Sequence, residues 1–377
     1  MITEKIARFL AESRPATPCL VMDLDVIADT YRTLTSVLPL ATVFYAVKAN
    51  PAPQILDLLE GMGSCFDTAS RGEIDMALAA GATPDRISFG NTIKKERDIA
   101  YAYEQGVRLF AFDSAEELEK LARSAPGAKV FCRILMECGG AEWPLSRKFG
   151  CAPEMAADLL AQAREMGLDP YGLSFHVGSQ QTDLSQWDVA LGRAASMFSA
   201  LAAREIDLRM VNIGGGFPAR YRNDIAPLQA YADAVMTAFR RHFGNNIPEI
   251  IIEPGRSMVG EAGVIETEVV LVSRKDYDED KRWVFLDIGK FGGLAETMDE
   301  AIKYRFLTDR DGEETGPVVL AGPTCDSADI LYEKTDYQMP VGLKAGDKVR
   351  ILATGAYTTT YSSVAFNGFD PLKAYVI

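Results

Sequence analysis

The sequence of 377 residues is poor in the side chains that build metal centres and disulfide frameworks. It holds two histidines, His176 and His242, which excludes a histidine-rich metal site, and we predict no metal. Its six cysteines form no CxxC pair, and a chain of this length needs no disulfide staples. We therefore predict reduced thiols and a cytoplasmic location.

Two further absences restrict the partners. No apolar run is long enough to span a bilayer, and the N-terminal MITEKIARFLAES carries acids early and has no apolar core. We expect neither a membrane segment nor a secretory signal. Basic residues number 39 against 53 acidic ones, and the net charge of −14 argues against binding to nucleic acid. An acidic surface suits cationic small molecules, although usually it only keeps a protein soluble.

Apolar runs of strand length alternate with segments of helical period through most of the chain, which predicts parallel βα units of an α/β fold. There are eight such runs: VFYAVK (43–48), SCFD (64–67), ISFG (87–90), RLFAFD (108–113), KVFCRIL (129–135), LSFHVG (173–178), RMVNIG (209–214) and IIIEPG (250–255). Eight units in about 230 residues predict a (β/α)8 barrel over 25–262. Later runs have few helices between them, so 263–377 together with 1–24 predict a mainly β domain.

Polar residues and glycines stand at the predicted strand ends, where barrel enzymes carry their reactive groups. In chain order they are Lys48, Asp67, Gly90, Asp113, Arg133, His176, Gly214 and Glu253. A lysine at the end of one apolar run is often a surface residue that extends to water. The alternative is a desolvated lysine, which can form a Schiff base with an aldehyde cofactor. The other polar strand ends favour this alternative for Lys48.

The segment NIGGGFP (212–218) places three glycines directly after the seventh strand. Consecutive glycines let backbone N–H groups approach an anion closely, and barrels commonly bind phosphate after strands seven and eight. Strand eight ends in EPGR, so Arg256 could add a forked donor. A plain tight turn is the alternative for Gly214, Gly215 and Gly216.

A phosphate site beside a Schiff-base lysine points to pyridoxal 5′-phosphate (PLP) as the cofactor. That cofactor needs a partner for its ring nitrogen, and Glu253 could be this partner, or an ordinary salt-bridge acid. His176 could stack on the ring, or be a satisfied core histidine.

These motifs together resemble the fold-type III PLP-dependent decarboxylases of the ornithine/lysine/diaminopimelate group. The resemblance covers nearly the whole chain and is carried by YAVKAN (45–50), FDTASRGEI (66–74), LSRKFG (145–150), FHVGSQ (175–180), NIGGGFP (212–218), EPGR (253–256), GPTCDSAD (322–329) and GAYTTTYSSVAFNGF (355–369). It implies that Lys48 binds the cofactor, His176 stacks on its ring and Glu253 is the ring-nitrogen partner. It also implies cofactor contacts from Asp67, Arg133, Ser179, Gly214, Gly215, Gly216, Arg256 and Tyr357.

The resemblance further implies a homodimer with shared active sites. Cys325 of one subunit is then the proton donor in the other subunit's site, and Asp326 binds the distal amine of the substrate. Lys148 and Asp329 correspond to an ion pair across the dimer interface.

The implied reaction is decarboxylation of lysine or ornithine to cadaverine or putrescine and carbon dioxide. In the segment GKFGGLAETMDEAIKY (289–304), helical spacing would put Glu296, Asp299 and Glu300 on one face. We predict Asp299, with Asp326 and Tyr357, as substrate contacts, and leave open which of the three acids meets the distal amine. The alternatives are diaminopimelate decarboxylase, an alanine-racemase-like enzyme, against which Glu253 argues, and a non-catalytic regulator on the same fold.

Overall fold

A computed structural model describes residues 2–137, 139–143 and 147–377. Cys138 and the first two residues of the LSRKFG motif lie outside the described residues. The chain divides into two compact units. The first comprises the N-terminal residues up to Ile27 together with Ala219–Asp224 and Arg256–Ile377, and the second comprises Ala28–Pro218 and Ile225–Gly255. The domain limits given above remain a prediction.

The first unit begins with α1 (Glu4–Ser13), whose amino end is capped by the Thr3 hydroxyl. Strand β1 (Cys19–Met22) follows. Ile6 and Leu10 lie one turn apart on α1, and both pack with Cys19 in a buried cluster. Helix α2 (Leu24–Val37) then leads into the barrel.

The second unit is a closed barrel of eight parallel strands, so the predicted fold class is confirmed. Its strands are β2 (Ala41–Ala46), β3 (Cys65–Thr68), β4 (Ile87–Phe89), β5 (Leu109–Phe112), β6 (Lys129–Arg133), β8 (Asp169–Ser174), β10 (Met210–Asn212) and β11 (Glu249–Ile252), while β7 (Ala141–Trp143) and β9 (Ser179–Gln181) pair with each other. The longer helices between them are α3 (Pro53–Gly61), α4 (Arg71–Ala79), α5 (Glu96–Glu104), α6 (Ala115–Ser124), α7 (Pro153–Glu165), α8 (Ser185–Ala202) and α9 (Leu228–Phe243).

The barrel core explains why its strands read as continuous apolar runs. Phe44, Ala111, Phe131, Met210 and Ile251 form a buried cluster contributed by five different strands. Strands of a parallel barrel are covered on both faces, by this core and by the helices, so most of their residues are apolar. Polar residues are therefore concentrated where the strands end.

The first unit also contains a short helix, α10 (Arg256–Val259), and an eight-stranded sheet. The further strands are β12 (Gly263–Ser273), β13 (Arg282–Leu286), β14 (Arg305–Thr308), β15 (Thr315–Ala321), β16 (Ile330–Pro340), β17 (Lys348–Leu352) and β18 (Lys373–Val376), in the order β14-β17-β12-β13-β15-β16, with β1 paired to β12 and β18. The sequence predictions missed β14, β16 and β18. In β16 the cause is its polar composition, since residues 333–336 read EKTD.

Within the described ranges, no helix combines the length and the apolar composition needed to cross a membrane.

Candidate active site

Lys48 lies in a single 3-10 turn, Val47–Ala49, immediately after β2. Its Nζ is 3.2 Å from Oδ2 of Asp67 on the neighbouring strand β3, and it lies at the carboxyl end of the barrel. The Asp67 side chain is buried, whereas that of Lys48 is 48% exposed. The expected desolvation of Lys48 is therefore not found in this structure, because the turn carries its side chain clear of the strand's apolar surroundings.

Asp67 is held in place by its own neighbours. The Ser88 hydroxyl on β4 donates to Asp67 Oδ1 at 3.1 Å. A Cβ at Gly90 would lie 1.9 Å from the same oxygen, so only glycine leaves room for this carboxylate. The glycine at the end of the third predicted strand thus makes space for the acid that pairs with Lys48.

Each glycine of the triplet lies close to a backbone oxygen of a neighbouring segment. A Cβ at Gly214 would lie 2.6 Å from Phe175 O, one at Gly215 would lie 2.7 Å from Glu253 O, and one at Gly216 would lie 2.8 Å from a backbone oxygen. Among the described residues, the N–H groups of Gly215 and Gly216 have no hydrogen-bond partner in the protein. Buried backbone donors are nearly always paired, so these two suit an anionic ligand.

Glu253 follows β11, and its carboxylate is in contact with Asn212. Asn212 Nδ2 donates to Glu253 Oε1 at 2.5 Å. Burial, followed by the charge of Asp67, raises the pKa of Glu253 to about 7, and Lys48 and Arg133 act in the opposite direction. A largely buried carboxylate of this kind is suited to accept a charged N–H donor.

His176 follows β8 and is a neutral imidazole. Its Nδ1 accepts the backbone N–H of Gly178 at 2.9 Å, which places the ring proton on Nε2. Burial, with further effects of Arg133 and Lys48, lowers the pKa of His176 to about 3. A Cβ at Gly215 would lie 3.6 Å from His176 Nε2, so the ring lies beside the triplet. A neutral ring can stack on an aromatic ligand without the cost of burying a charge.

Arg133 ends β6, and Ser179 begins β9. Burial lowers the pKa of Arg133. The charge of Arg133 in turn lowers the pKa of His176 and of Glu253. Asp113 instead stabilises a neighbouring segment, because its Oδ2 accepts the backbone N–H of Gly150 at 2.7 Å. The other seven predicted strand-end residues thus gather at one end of the barrel, whereas Asp113 serves its local structure.

These residues fit PLP on observations of the chain itself. Lys48 offers a primary amine, Gly215 and Gly216 offer two unpaired donors for a phosphate, and Glu253 offers a buried acceptor for a ring N–H. His176 offers a neutral aromatic face. Each group matches a different part of that cofactor.

In the first unit, Arg256 and Glu296 form a buried bidentate ion pair. Arg256 Nη1 donates to Glu296 Oε2 at 2.7 Å and Nη2 donates to Oε1 at 2.5 Å, with both side chains at most 5% exposed. Nη1 also donates to the Tyr221 hydroxyl at 2.7 Å. Tyr221 lies in the short segment Ala219–Asp224, which is part of the first unit.

The predicted shared helical face at 296–300 is wrong. The segment is a pair of 3-10 turns broken at Met298, with ψ of 132°, and at Asp299, with a left-handed φ of 52°. Glu300 is also occupied, since its carboxylate accepts three consecutive backbone N–H groups of β16. Asp299 is the exposed acid of the three, which favours it over Glu296 and Glu300 as a substrate contact.

Cys325 and Asp326 lie on an exposed loop, with the Cys325 N–H donated to Asn367 Oδ1 at 2.9 Å. Tyr357 has a left-handed φ of 57°, and its ring centre is 5.0 Å from Arg256 Cζ. Asp329 is 2% exposed and accepts bonds from Thr324 within its own chain, while Lys148 is exposed. The predicted pair between Lys148 and Asp329 of a second copy stays a prediction.

Breaking the buried ion pair should cost stability. Glu296→Ala leaves the Arg256 guanidinium buried without its anion, so we expect the free energy of unfolding to fall by about 3–5 kcal/mol. Urea unfolding measures this. The exposed Asp299→Asn serves as the matched control, because Asn also tolerates the left-handed backbone at this position, and it should change stability by no more than about 0.5 kcal/mol. Equal effects of the two variants would contradict the structural role of Glu296.

The raised pKa of Glu253 makes stability depend on pH. As pH rises from 4.5 to about 7, the unfolded chain releases the Glu253 proton while the folded protein retains it, so the folded state loses stability across this window. We expect Glu253→Gln to stabilise the cofactor-free protein by about 1–2 kcal/mol at pH 8, after allowance for partial exposure, and by less at pH 5. Urea unfolding at both pH values tests this, with Glu249→Gln on the same strand as control. A gain that does not depend on pH would exclude this titration as the cause.

Sequence reasoning missed Asn212 and Tyr221, and it considered Glu296 only as a possible substrate contact and not as the partner of Arg256. Asn212 stands inside the NIGGGFP motif, two residues before the first glycine of the triplet, and this position was a signal in the sequence. Glu296 lies 40 residues from Arg256 and Tyr221 lies 35 residues from it, and no local pattern connects them.

Comparisons with known proteins identify the family of this chain. Residues 24–260 match the family described as pyridoxal-dependent decarboxylase, pyridoxal binding domain. The chain is 36% identical to the lysine/ornithine decarboxylase of Selenomonas ruminantium over 98% of this chain and 91% of that protein.

Solved structures give the same result. A lysine/ornithine decarboxylase from Vibrio vulnificus, complexed with cadaverine, matches with a TM-score of 0.89 and 29% identity, covering all of both chains. The arginine decarboxylase of Paramecium bursaria Chlorella virus matches with a TM-score of 0.90 and 28% identity, also over all of both chains. The protein belongs to the fold-type III PLP-dependent decarboxylases, in the ornithine/lysine group, and is a carboxy-lyase with PLP as its cofactor.

Proposed function

We propose that this enzyme decarboxylates lysine, ornithine or both, and releases cadaverine or putrescine with carbon dioxide. The observation that carries the proposal is the group formed by Lys48 with Asp67, by Glu253 with Asn212, and by the two unpaired N–H groups of the glycine triplet. The names of the Selenomonas and Vibrio relatives support a substrate with a distal amine.

The residues of the chain divide the work. PLP supplies a covalent attachment point for the substrate amine and a ring that accepts the electron pair left when the α-carboxylate departs. Lys48 would hold the cofactor through its amine, and Glu253 would accept the ring N–H. His176 would support the ring face, and Gly215 and Gly216 would bind the phosphate. Asp67, Arg133, Gly214, Ser179, Arg256 and Tyr357 complete the proposed set of cofactor contacts, and Tyr357 also contacts the substrate.

Release of carbon dioxide from L-lysine, L-ornithine, L-arginine and meso-diaminopimelate tests the substrate class. We expect turnover of lysine or ornithine to exceed that of the other two amino acids. Turnover of diaminopimelate alone would replace the proposal with a diaminopimelate decarboxylase. Normal PLP binding with no turnover of any of the four would favour a regulator.

Asp299 is the proposed partner of the distal amine, because it is the exposed acid of its segment. Asp299→Asn should lower kcat/KM for lysine by about 10–100-fold, as expected when a charge-assisted contact is lost. Norleucine, which has the carbon chain of lysine without the amine, is the control substrate and should be unaffected. An equal loss on both substrates would show that Asp299 acts on folding or on the cofactor.

We also propose a cytoplasmic homodimer whose active sites are shared, with Cys325 and Asp326 supplied by a second copy. Both residues are exposed in the single chain, which supports this arrangement. Mixing the inactive variants Lys48→Ala and Cys325→Ala should restore about a quarter of the activity, since half of the dimers would be mixed and each would hold one intact site. No recovery on mixing would refute shared sites.

A further inference from the structure

Asn212 is the last residue of β10 and is 1% exposed. Both ends of its amide are used. Nδ2 donates to Glu253 Oε1 at 2.5 Å, and Oδ1 accepts the backbone N–H of Gly214 at 2.8 Å. One side chain therefore contacts both the carboxylate after β11 and the first residue of the glycine triplet.

We infer that Asn212 is a positioning residue that orients the Glu253 carboxylate with one end of its amide and the glycine triplet with the other. This inference rests on the proposed function, since it assigns Asn212 to the two protein groups proposed to bind the ring nitrogen and the phosphate. We assign Asn212 no direct contact with the substrate or with the reacting atoms.

The contact at Nδ2 favours the ionised form of Glu253. The charged groups that face this carboxylate are Asp67 from β3, Lys48 from the turn after β2, and Arg133 from the end of β6. Asp67 opposes ionisation, whereas Lys48, the Asn212 donor and Arg133 favour it. A hydrogen bond given to the ionised form lowers the pKa of a carboxyl group, so loss of Nδ2 should raise the pKa of Glu253.

The contact at Oδ1 acts on the loop. Gly214 has a left-handed φ of 66°, and its N–H is fixed by Asn212. The next two N–H groups of the chain are the unpaired donors of Gly215 and Gly216. Holding the first peptide of the triplet therefore sets the direction of the two donors that follow.

Infrared titration of the cofactor-free protein tests the first contact, with the Glu253 band assigned by its loss in Glu253→Gln. We expect the midpoint to rise by about one pH unit in Asn212→Ala, and by at least as much in Asn212→Asp, where a like charge replaces the donor. Asn91→Ala is the matched control, because Asn91 lies at the same end of the barrel and donates to the backbone oxygen of Ala69. This control should leave the midpoint unchanged.

Binding of PLP and of pyridoxal tests the second contact. Asn212→Ala should lower the affinity for PLP by about 10-fold and reduce the preference for PLP over pyridoxal. Asn212→Asp keeps an oxygen acceptor for the Gly214 N–H and should keep that preference. Loss of the preference in both variants, or in neither, would overturn the role assigned to Oδ1.

A midpoint in both variants within about 0.2 pH unit of the wild type would overturn the role assigned to Nδ2. If Asn212→Ala does not fold, the isosteric Asn212→Asp decides the question alone. The titration uses no substrate, so its result is separate from the proposed function. A shifted midpoint in an enzyme that releases no carbon dioxide would refute the function and leave the role of Asn212 intact.

Discussion

Lys48→Ala should lose both the cofactor that borohydride traps and at least about 10³-fold of the decarboxylase activity, the scale expected when a group that acts directly in the chemistry is removed. Lys48 is half exposed and contributes little to packing, so the variant should fold and keep its stability. Absorbance after borohydride reduction and carbon dioxide release measure the two losses. The exposed Lys95→Ala is the control and should retain both.

A second lysine, Lys94, is the competing site against which the borohydride label on Lys48 can be judged. Lys94 is fully buried, and burial lowers its pKa to about 8. Its Nζ already has three partners in the protein. It donates to Asn91 O at 2.7 Å and to Ala111 O at 2.6 Å, and it forms an ion pair with Glu117. We therefore expect peptide mapping of the reduced enzyme to find the label on Lys48. A label on Lys94 would overturn the assignment, because burial rather than position in the barrel would then select the reactive amine.

Glu253→Gln should lower kcat by about 10²–10³-fold while PLP still binds, because the change removes the charge that faces the ring nitrogen and keeps the shape of the side chain. The Gln side chain retains an oxygen that can accept the Asn212 donor. Glu249→Gln, at the opposite end of β11, is the matched control and should leave kcat unchanged.

The kinetic pattern separates two explanations. If Glu253→Gln raised the dissociation constant for PLP by the same factor and left kcat of the loaded enzyme unchanged, Glu253 would be a binding residue only. Glu253→Asp restores the charge on a shorter side chain, and we expect it to recover part of the lost activity.

The barrel could be predicted because each of its strands is recognisable from its own stretch of sequence. Parallel strands are apolar on both faces, so the end of each apolar run marks a strand end, and Lys48 and Glu253 were found by that rule. The distance from Lys48 to Asp67, by contrast, depends on the pairing of β2 with β3, which no local pattern encodes.

The errors have equally specific causes. Helical spacing at 296–300 failed because Met298 and Asp299 leave helical backbone angles, and their side chains gave no signal of it. The ion pair between Arg256 and Glu296 was missed because buried partners 40 residues apart are recognised only once the chain has folded.

The glycine triplet and Lys48 are subject to different kinds of constraint. A side chain at any of the three glycines would collide with backbone whether or not a cofactor is bound, whereas replacing the half-exposed Lys48 removes almost no packing. A descendant of this protein that had abandoned catalysis would still need GGG in order to fold, but its lysine would be free to drift. When active members are to be told from inactive ones among the sequenced relatives, the amine is therefore the informative position and the triplet is not.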